Sequence, residues 1–447
     1  MLLDVTAILS TSATWDSVAE AFSLPDFSAT VTVVAPAWSA PEQTAWSDAL
    51  FAHDVPADSD PQLVPEQTRP HTLAGLVSSR AAASEVVAWW ESNAPAQRVS
   101  LLASSPSALG NLEGVPYEVR DAANRSFLTE TIASIESRLA SGSVGRAASE
   151  DLQAQLHMLR QVAAAVETGD SGLQRSLINL DVNEGGRAVI AIGDLASAQY
   201  VSYLIPGMFY SVDSEIGSWA GAADQLAADQ ASWLARLAPN QYGASGSSAA
   251  SNAVATVAWI GYQTPTVVNV ASLDLAREGR DALTESLHGL DAIRAAGGAN
   301  EQPYLSILAH SYGATAALLA LQENDVTVDA LAMVGSPGSP AESVGQLKVR
   351  NGNVWVADAA WDAVSSTGVF GSQPLSPEYG AHHFGVNGAV DPLTGKSLAG
   401  SVGHVDYFTD GSESFRNMAL IGIGRGGFVL DPHGVVDATP RALASAG

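Results

Sequence analysis

Apolar positions along this chain recur with two different periods, and the change from one to the other divides it. Leu152, Leu156, Leu159, Val162 and Val166 return every three to four residues, with Gly169 as a stop. That spacing predicts a helix from Ser149 to Val166, beside others over Arg120 to Leu139 and Ala81 to Trp90. Pro95, Pro106, Gly110, Gly114 and Pro116 punctuate the stretch between and mark a loop-rich connector. The stripe is packing surface, since two heptads are too few for a coiled-coil seam.

After Gly172 the rhythm shortens to apolar runs of four to seven residues alternating with helical stretches. Strands are expected at Leu177 to Leu180, Ala188 to Ile192, Tyr200 to Ile205, Ala255 to Ile260, Leu305 to Leu308, Ala330 to Val334, Val354 to Ala357 and His382 to Val386. Helices are expected at Asp213 to Leu237, Ser272 to Ala296, Ala314 to Glu323 and Glu413 to Ile421, and Tyr242 to Ser251 reads as a flexible surface loop. Helices between the middle strands predict an α/β fold with a mostly parallel eight-stranded sheet. Its start is antiparallel, where connections are too short for crossover helices. Near the N-terminus, Val5 to Leu9 and Thr30 to Val34 read as strands and Trp15 to Phe22 as a helix, with no role attached to them.

Composition narrows the function. With 20 Lys plus Arg against 47 Asp plus Glu, the formal charge of −27 argues against a nucleic-acid surface, which needs clustered cations. A chain that is 47% hydrophobic and 15% charged fills a core and is not of disordered composition. No run reaches the roughly 18 apolar residues of a membrane span; the best, Met418 to Leu430, is broken by Arg425 and glycines. Without cysteine, disulfides, thiolate ligands and a cysteine nucleophile are excluded. The opening MLLDVTAILS carries Asp4 and no cationic stretch, so it does not read as a secretory signal, and a cytoplasmic location is expected.

The sharpest chemical signal is YLSILAHSYGATAALLAL, an apolar strand running into Ala309-His310-Ser311-Tyr312-Gly313 and then a helix. Small-x-Ser-x-Gly between strand and helix is the form of a nucleophile elbow, whose strained turn pushes the serine hydroxyl out of the sheet. The competing reading is a serine that only caps the helix. His310 is expected to point back into the fold.

A serine hydroxyl needs a base, and the base needs an orienting carboxylate. The strand Val354 to Ala357 opens into Asp358-Ala359-Ala360-Trp361-Asp362, so Asp358 at the strand end competes with Asp362 in the following turn, which the turn position favours. Among His382, His383, His404 and His433, the base is expected at His404, in a glycine-flanked loop ahead of the last helix. His382 and His383 lack a carboxylate partner at metal-ligand spacing, and neither metal nor cofactor is expected.

Acyl transfer also needs oxyanion donors. Tyr312, next after the nucleophile, supplies one amide, and Met208, where YVSYLIPGMFYS breaks at Pro206-Gly207, supplies the other. Residues following the strand ends, namely Phe209, Tyr210, Tyr262, Gln263 and Pro337, are expected to line a substrate pocket of apolar character; Trp259, within its strand, reads equally well as core.

Several segments together resemble an actinobacterial α/β-hydrolase family of unassigned substrate: Trp89 to Arg125, Ile205 to Phe209, Trp259 to Pro265, Ala309 to Gly313, Val334 to Gly338 and Gly403 to Phe408. The resemblance implies a serine hydrolase with Ser311 as nucleophile, His404 as base and Asp362, in WDAV, as acid. Members often carry glycine at the place of Ala309 and Thr-Gly at the place of Met208-Phe209. Asp121, Arg120 and Arg125 are read as a salt-bridged anchor. The expected division is an N-terminal α/β segment (1–80), a helical region packing on or lidding the hydrolase (81–172), an α/β-hydrolase catalytic domain (173–430) and a tail (431–447). The expected activity is hydrolysis of a small apolar carboxylic ester. An amidase or thioesterase using the same parts, or a non-catalytic scaffold of the same fold, are the alternatives.

Overall fold

The computed structural model describes residues 72–436 apart from 168, 184, 243–246, 267, 299–301 and 366. The elements expected at Val5 to Leu9, Trp15 to Phe22 and Thr30 to Val34, and residues 437–447 of the tail, lie outside the described residues.

Among the described residues six helices come first: α1 (Leu73–Ser79), α2 (Ala83–Ser92), α3 (Pro95–Ser104), α4 (Pro106–Gly110), α5 (Tyr117–Ala140) and α6 (Arg146–Ala165). The stretch expected to be a loop-rich connector is therefore largely helical. Pro95 and Pro106 each stand in the first turn of a helix. There the ring fixes a helical φ, and the missing N–H would have had no intrahelical acceptor. Both prolines start helices where the sequence reading took them for breaks.

The strands are β1 (Arg175–Asp181), β2 (Arg187–Ile192), β3 (Tyr200–Ile205), β4 (Val254–Ile260), β5 (Tyr304–His310), β6 (Ala330–Val334), β7 (Val354–Ala357) and β8 (His382–His383), the last shorter than expected. They form one sheet in the order β1-β2-β4-β3-β5-β6-β7-β8. Pairings β1/β2 and β2/β4 are antiparallel and the rest parallel, as the short early connections require. Helices α7 (Val212–Leu237) and α10 (Glu413–Gly422) join α6 on one face; α8 (Asp274–Ala296) and α9 (Tyr312–Glu323) cover the other. Covered on both sides, the central strands are continuous apolar runs, β4 being buried at every position. The expected loop at Tyr242 to Ser251 differs: residues Ser247–Asn252 form a short helix, with Ala250 wholly buried. No helix among the described residues is long and apolar enough to cross a membrane.

Strand β1 lies at the sheet's edge, where unpaired backbone groups invite another strand. Polar side chains from the preceding helices take them up. Asp121 accepts from the Leu177 amide at 2.6 Å, Asn124 donates to the Leu177 carbonyl at 2.9 Å, and Asn111 makes both hydrogen bonds with Leu180 at 2.8 Å. Arg125 donates to the Arg175 carbonyl at 2.7 Å and pairs with Asp121 at 2.8 Å. The anchor is thus chiefly a set of side-chain-to-backbone bonds. Arg120 stands apart from it, held by Glu113 at 2.5 and 2.8 Å.

Candidate active site

Strand β5 delivers the chain to the carboxyl edge of the sheet and releases it at Ser311, with φ 53° and ψ −128°, before α9 begins at Tyr312. That backbone region is costly for an L-residue, so its surroundings must hold it. The Ser311 amide donates to the Val334 carbonyl at 3.0 Å, tying the turn to the end of β6. Two glycines let the loop after β3 and the turn at Ser311 approach closely. A Cβ at Gly313 would stand 2.3 Å from the Pro206 carbonyl oxygen, and one at Gly207 would stand 2.4 Å from Ser311 Cβ. Ala309, in the place where relatives of the resembled family carry glycine, is wholly buried.

Ser311 occupies the N-cap position of α9, yet its side chain makes no capping bond. Its Oγ instead lies 2.7 Å from His404 Nε2, and His404 Nδ1 lies 2.9 and 3.0 Å from the two oxygens of Asp362. An ionised carboxylate can only accept, so Nδ1 carries the proton and Nε2 accepts from the serine hydroxyl. The three residues are buried, at 3%, 4% and 6% exposed for Ser311, His404 and Asp362. Burial alone would raise the Asp362 carboxyl, but hydrogen bonds from His404, Tyr407 and the Val364 amide outweigh it and hold the group below the ordinary carboxylate range. Asp358 is exposed at the end of β7; partial burial and the neighbouring Asp362 push its carboxyl up.

A layer of residues steadies these three. Tyr407 donates to Asp362 Oδ2 at 2.5 Å and accepts from the Ala359 amide at 2.8 Å. His310 donates from Nε2 to the His404 carbonyl at 2.6 Å, its ring 4.7 Å from that of His404. Burial, then the neighbouring His404, pushes the pKa of His310 down to about 3, so it stays neutral and inward-facing. Gly335, with φ 60°, leaves room for the pair: a Cβ there would meet Asp362 Oδ2 at 2.7 Å and His404 Nδ1 at 3.0 Å. Sequence reasoning missed Tyr407 and Gly335 as parts of the site, although both lay in segments it singled out, GHVDYF and VGSPG.

The amide of Tyr312 opens α9, where no preceding turn can accept it. Met208 follows the Pro206-Gly207 break beside Ser311. Among the described residues neither amide is taken by a protein acceptor. Phe209 has φ 67°, which explains why glycine suits this place in the resembled family. Its amide donates to the Pro265 carbonyl at 3.2 Å, and its side chain is 44% exposed.

The remaining pocket residues divide. Tyr210 is half-buried, edge-on to Trp219 and His310, and Gln263 is half-buried. Pro337 is buried in the loop after β6. Tyr262 is wholly buried and donates to the Pro206 carbonyl at 2.8 Å, so it supports the loop from beneath and does not face a ligand. His382 and His383 stay on β8, and His433 is exposed in the C-terminal turn.

Residues 181–372 match the model of a family described as alpha/beta hydrolase. The fold is that of an α/β-hydrolase. The chain is 28% identical over 387 residues to an uncharacterized protein of Mycobacterium tuberculosis (strain ATCC 25618 / H37Rv), a match covering 77% of this chain and 56% of that one. The chain thus spans little more than half the length of that relative. An uncharacterized protein of Mycobacterium bovis (strain ATCC BAA-935 / AF2122/97) is 29% identical over 243 residues, covering 50% of this chain and 80% of its own. Both are mycobacterial, in keeping with an actinobacterial α/β-hydrolase family of unassigned substrate. Among solved structures, the dienelactone hydrolase from Anabaena variabilis ATCC 29413 aligns with a TM-score of 0.27 and 15% identity, over 45% of this chain and 83% of its own. Carboxyl esterase 2 from the fungus Tuber melanosporum aligns with a TM-score of 0.31 and 10% identity, over 58% of this chain and 89% of its own.

Proposed function

We propose that this α/β-hydrolase is a serine hydrolase that cleaves a carboxylic ester through an acyl-enzyme. Ser311 Oγ attacks the acyl carbon while His404 Nε2 takes its proton, and the amides of Met208 and Tyr312 receive the developing oxyanion. Collapse expels the alcohol, protonated by His404. A water, deprotonated by the same imidazole, then attacks the acyl-Ser311 ester and releases the acid, returning the proton to Ser311. Asp362 keeps Nδ1 protonated and the ring in place. The chemistry calls for no cofactor.

The observation that carries this reading is the relay of 2.7 and 2.9 Å through Ser311, His404 and Asp362, contributed by three separate loops. An apolar substrate is supported by side chains on neighbouring loops that stay exposed: Trp361 at 87%, Val405 at 63%, Val402 at 57% and Phe209 at 44%. The loops bearing Trp361 and Val402 are joined where the Gly403 amide donates to the Ala360 carbonyl at 2.9 Å.

A fluorophosphonate probe is expected to label the wild-type chain and not Ser311→Ala, and p-nitrophenyl esters of increasing acyl length should be turned over in proportion to apolar contact. Folded wild-type protein that resists the probe would overturn the reading in favour of a non-catalytic scaffold.

A further inference from the structure

The turn that carries Asp362 holds a tryptophan where glycine would fit better. Residues Ala359 to Asp362 make a four-residue turn closed by the Asp362 amide, which donates to the Ala359 carbonyl at 3.1 Å, and Trp361, third in that turn, has φ 70°. Glycine or asparagine ordinarily stands there, because a side chain crowds the backbone in the left-handed region. Trp361 is nevertheless 87% exposed, so burial does not offset the strain and the fold gains little from its ring.

Its surroundings supply another use for that ring. The Gly403 amide donates to the Ala360 carbonyl at 2.9 Å, which lays this turn against the loop bearing His404. On that loop Val402 and Val405 flank the histidine and are exposed, and a Cβ at Gly403 would meet nothing within 4 Å. Three largely exposed apolar side chains thus stand on the two loops that hold the base and its acid, beside open space.

The chemistry of acyl transfer decides which part of a substrate meets them. When the ester bond breaks, His404 Nε2 delivers its proton to the alcohol oxygen, which must therefore lie beside the imidazole. The carbonyl oxygen is turned the other way, toward the amides of Met208 and Tyr312. The chain attached to the alcohol oxygen then leaves the relay along the loops of His404 and Asp362, while the acyl chain departs from the carbonyl carbon on Ser311. Resting on the serine-hydrolase reading above, we infer that Trp361, with Val402 and Val405 beside it, binds the alcohol part of the ester and that this part is an extended apolar group. Trp361 is then a specificity-determining residue, kept at a strained position for its contact with substrate.

Methyl, butyl and hexyl acetate form one and the same acetyl-enzyme, so their kcat/KM values differ through the binding and departure of the alcohol. In the wild-type full chain the ratio of hexyl over methyl acetate should be about tenfold or more. In Trp361→Gly that ratio should fall about fivefold or more, while the acyl-side ratio, methyl hexanoate over methyl acetate, holds within about twofold. Ratios cancel any general loss of rate from disturbing Asp362. Glycine at this φ should leave the thermal midpoint unchanged or raise it by about 1–2 °C; a drop of several degrees would show that Trp361 serves the fold and would overturn the inference. A wild-type ratio near one, an unchanged ratio in Trp361→Gly, or an equal fall of the acyl-side ratio would also overturn it, with fluorophosphonate labelling of Ser311 still intact. Wild-type protein that neither reacts with that probe nor turns over any ester would instead overturn the hydrolase reading itself, and this inference with it.

Discussion

The phenol of Tyr407 donates to Oδ2 of Asp362 at 2.5 Å, while the amide of Ala359 holds that phenol oxygen from the other side. Tyr407 thereby fixes the carboxylate that fixes His404, without reaching the serine itself. Removing the hydroxyl in Tyr407→Phe should leave the fold intact and lower kcat/KM about tenfold, some 1.4 kcal/mol of transition-state stabilisation. Steady-state ester hydrolysis reads this directly; an unchanged rate would mean that Val364 and His404 suffice to hold Asp362.

The two acids of the DAAWD turn should separate sharply. Asp362→Asn permits the wrong imidazole tautomer and should cost about 10⁴ in kcat, the scale known for such a change in a Ser-His-Asp relay. Asp358→Asn, at an exposed position, should stay within a few-fold of wild type. The reverse pattern in folded variants would refute the assignment of the acid.

Gly207→Ala tests how closely the loop after β3 must approach the nucleophile. Its new methyl would stand 2.4 Å from Ser311 Cβ and 3.0 Å from Oγ, against neighbours on a strained turn. Displacement of either loop by an ångström should lower turnover about a hundredfold or more. Near-normal turnover would show that the two loops yield without consequence.

A pH effect unconnected with catalysis is expected at Asp229 on α7. Burial, reinforced by Asp410, pushes its carboxyl up to about 6, against about 3.9 in an unfolded chain. Between those values the folded state keeps a proton that the unfolded state has lost, so this contribution to stability is full below about pH 4 and is gone above about pH 6. Asp229→Asn should therefore gain about 1–2 kcal/mol over wild type at pH 7.5, a figure already reduced for partial solvent access, and nothing at pH 4. Urea unfolding at the two pH values measures the difference; a gain independent of pH would refute it.

Some of these features were legible in the residues and some were not. The strands β3, β6 and β7 and the helices α7, α8 and α10 fall within a few residues of where periodicity puts them, because a run of apolar side chains carries its own geometry. The turn at Ser311 is legible for the same reason: a strand, a small-residue turn and a helix are neighbours in the chain. Proline was misread at Pro95 and Pro106, since the same ring that ends a helix also starts one.

What the chain determined by itself was local: which segments are strands or helices, where a serine meets a tight turn, and that a sequence without cysteine forms no disulfide. What only the tertiary structure decided was which distant groups meet. Asp362 is brought to a histidine 42 residues away, Asn111 and Asp121 close a sheet edge that begins more than fifty residues later, and Gly335 is needed because two side chains from other loops occupy the space a Cβ would take. Those encounters depend on strand order and loop path, to which each residue's immediate neighbours contribute almost nothing.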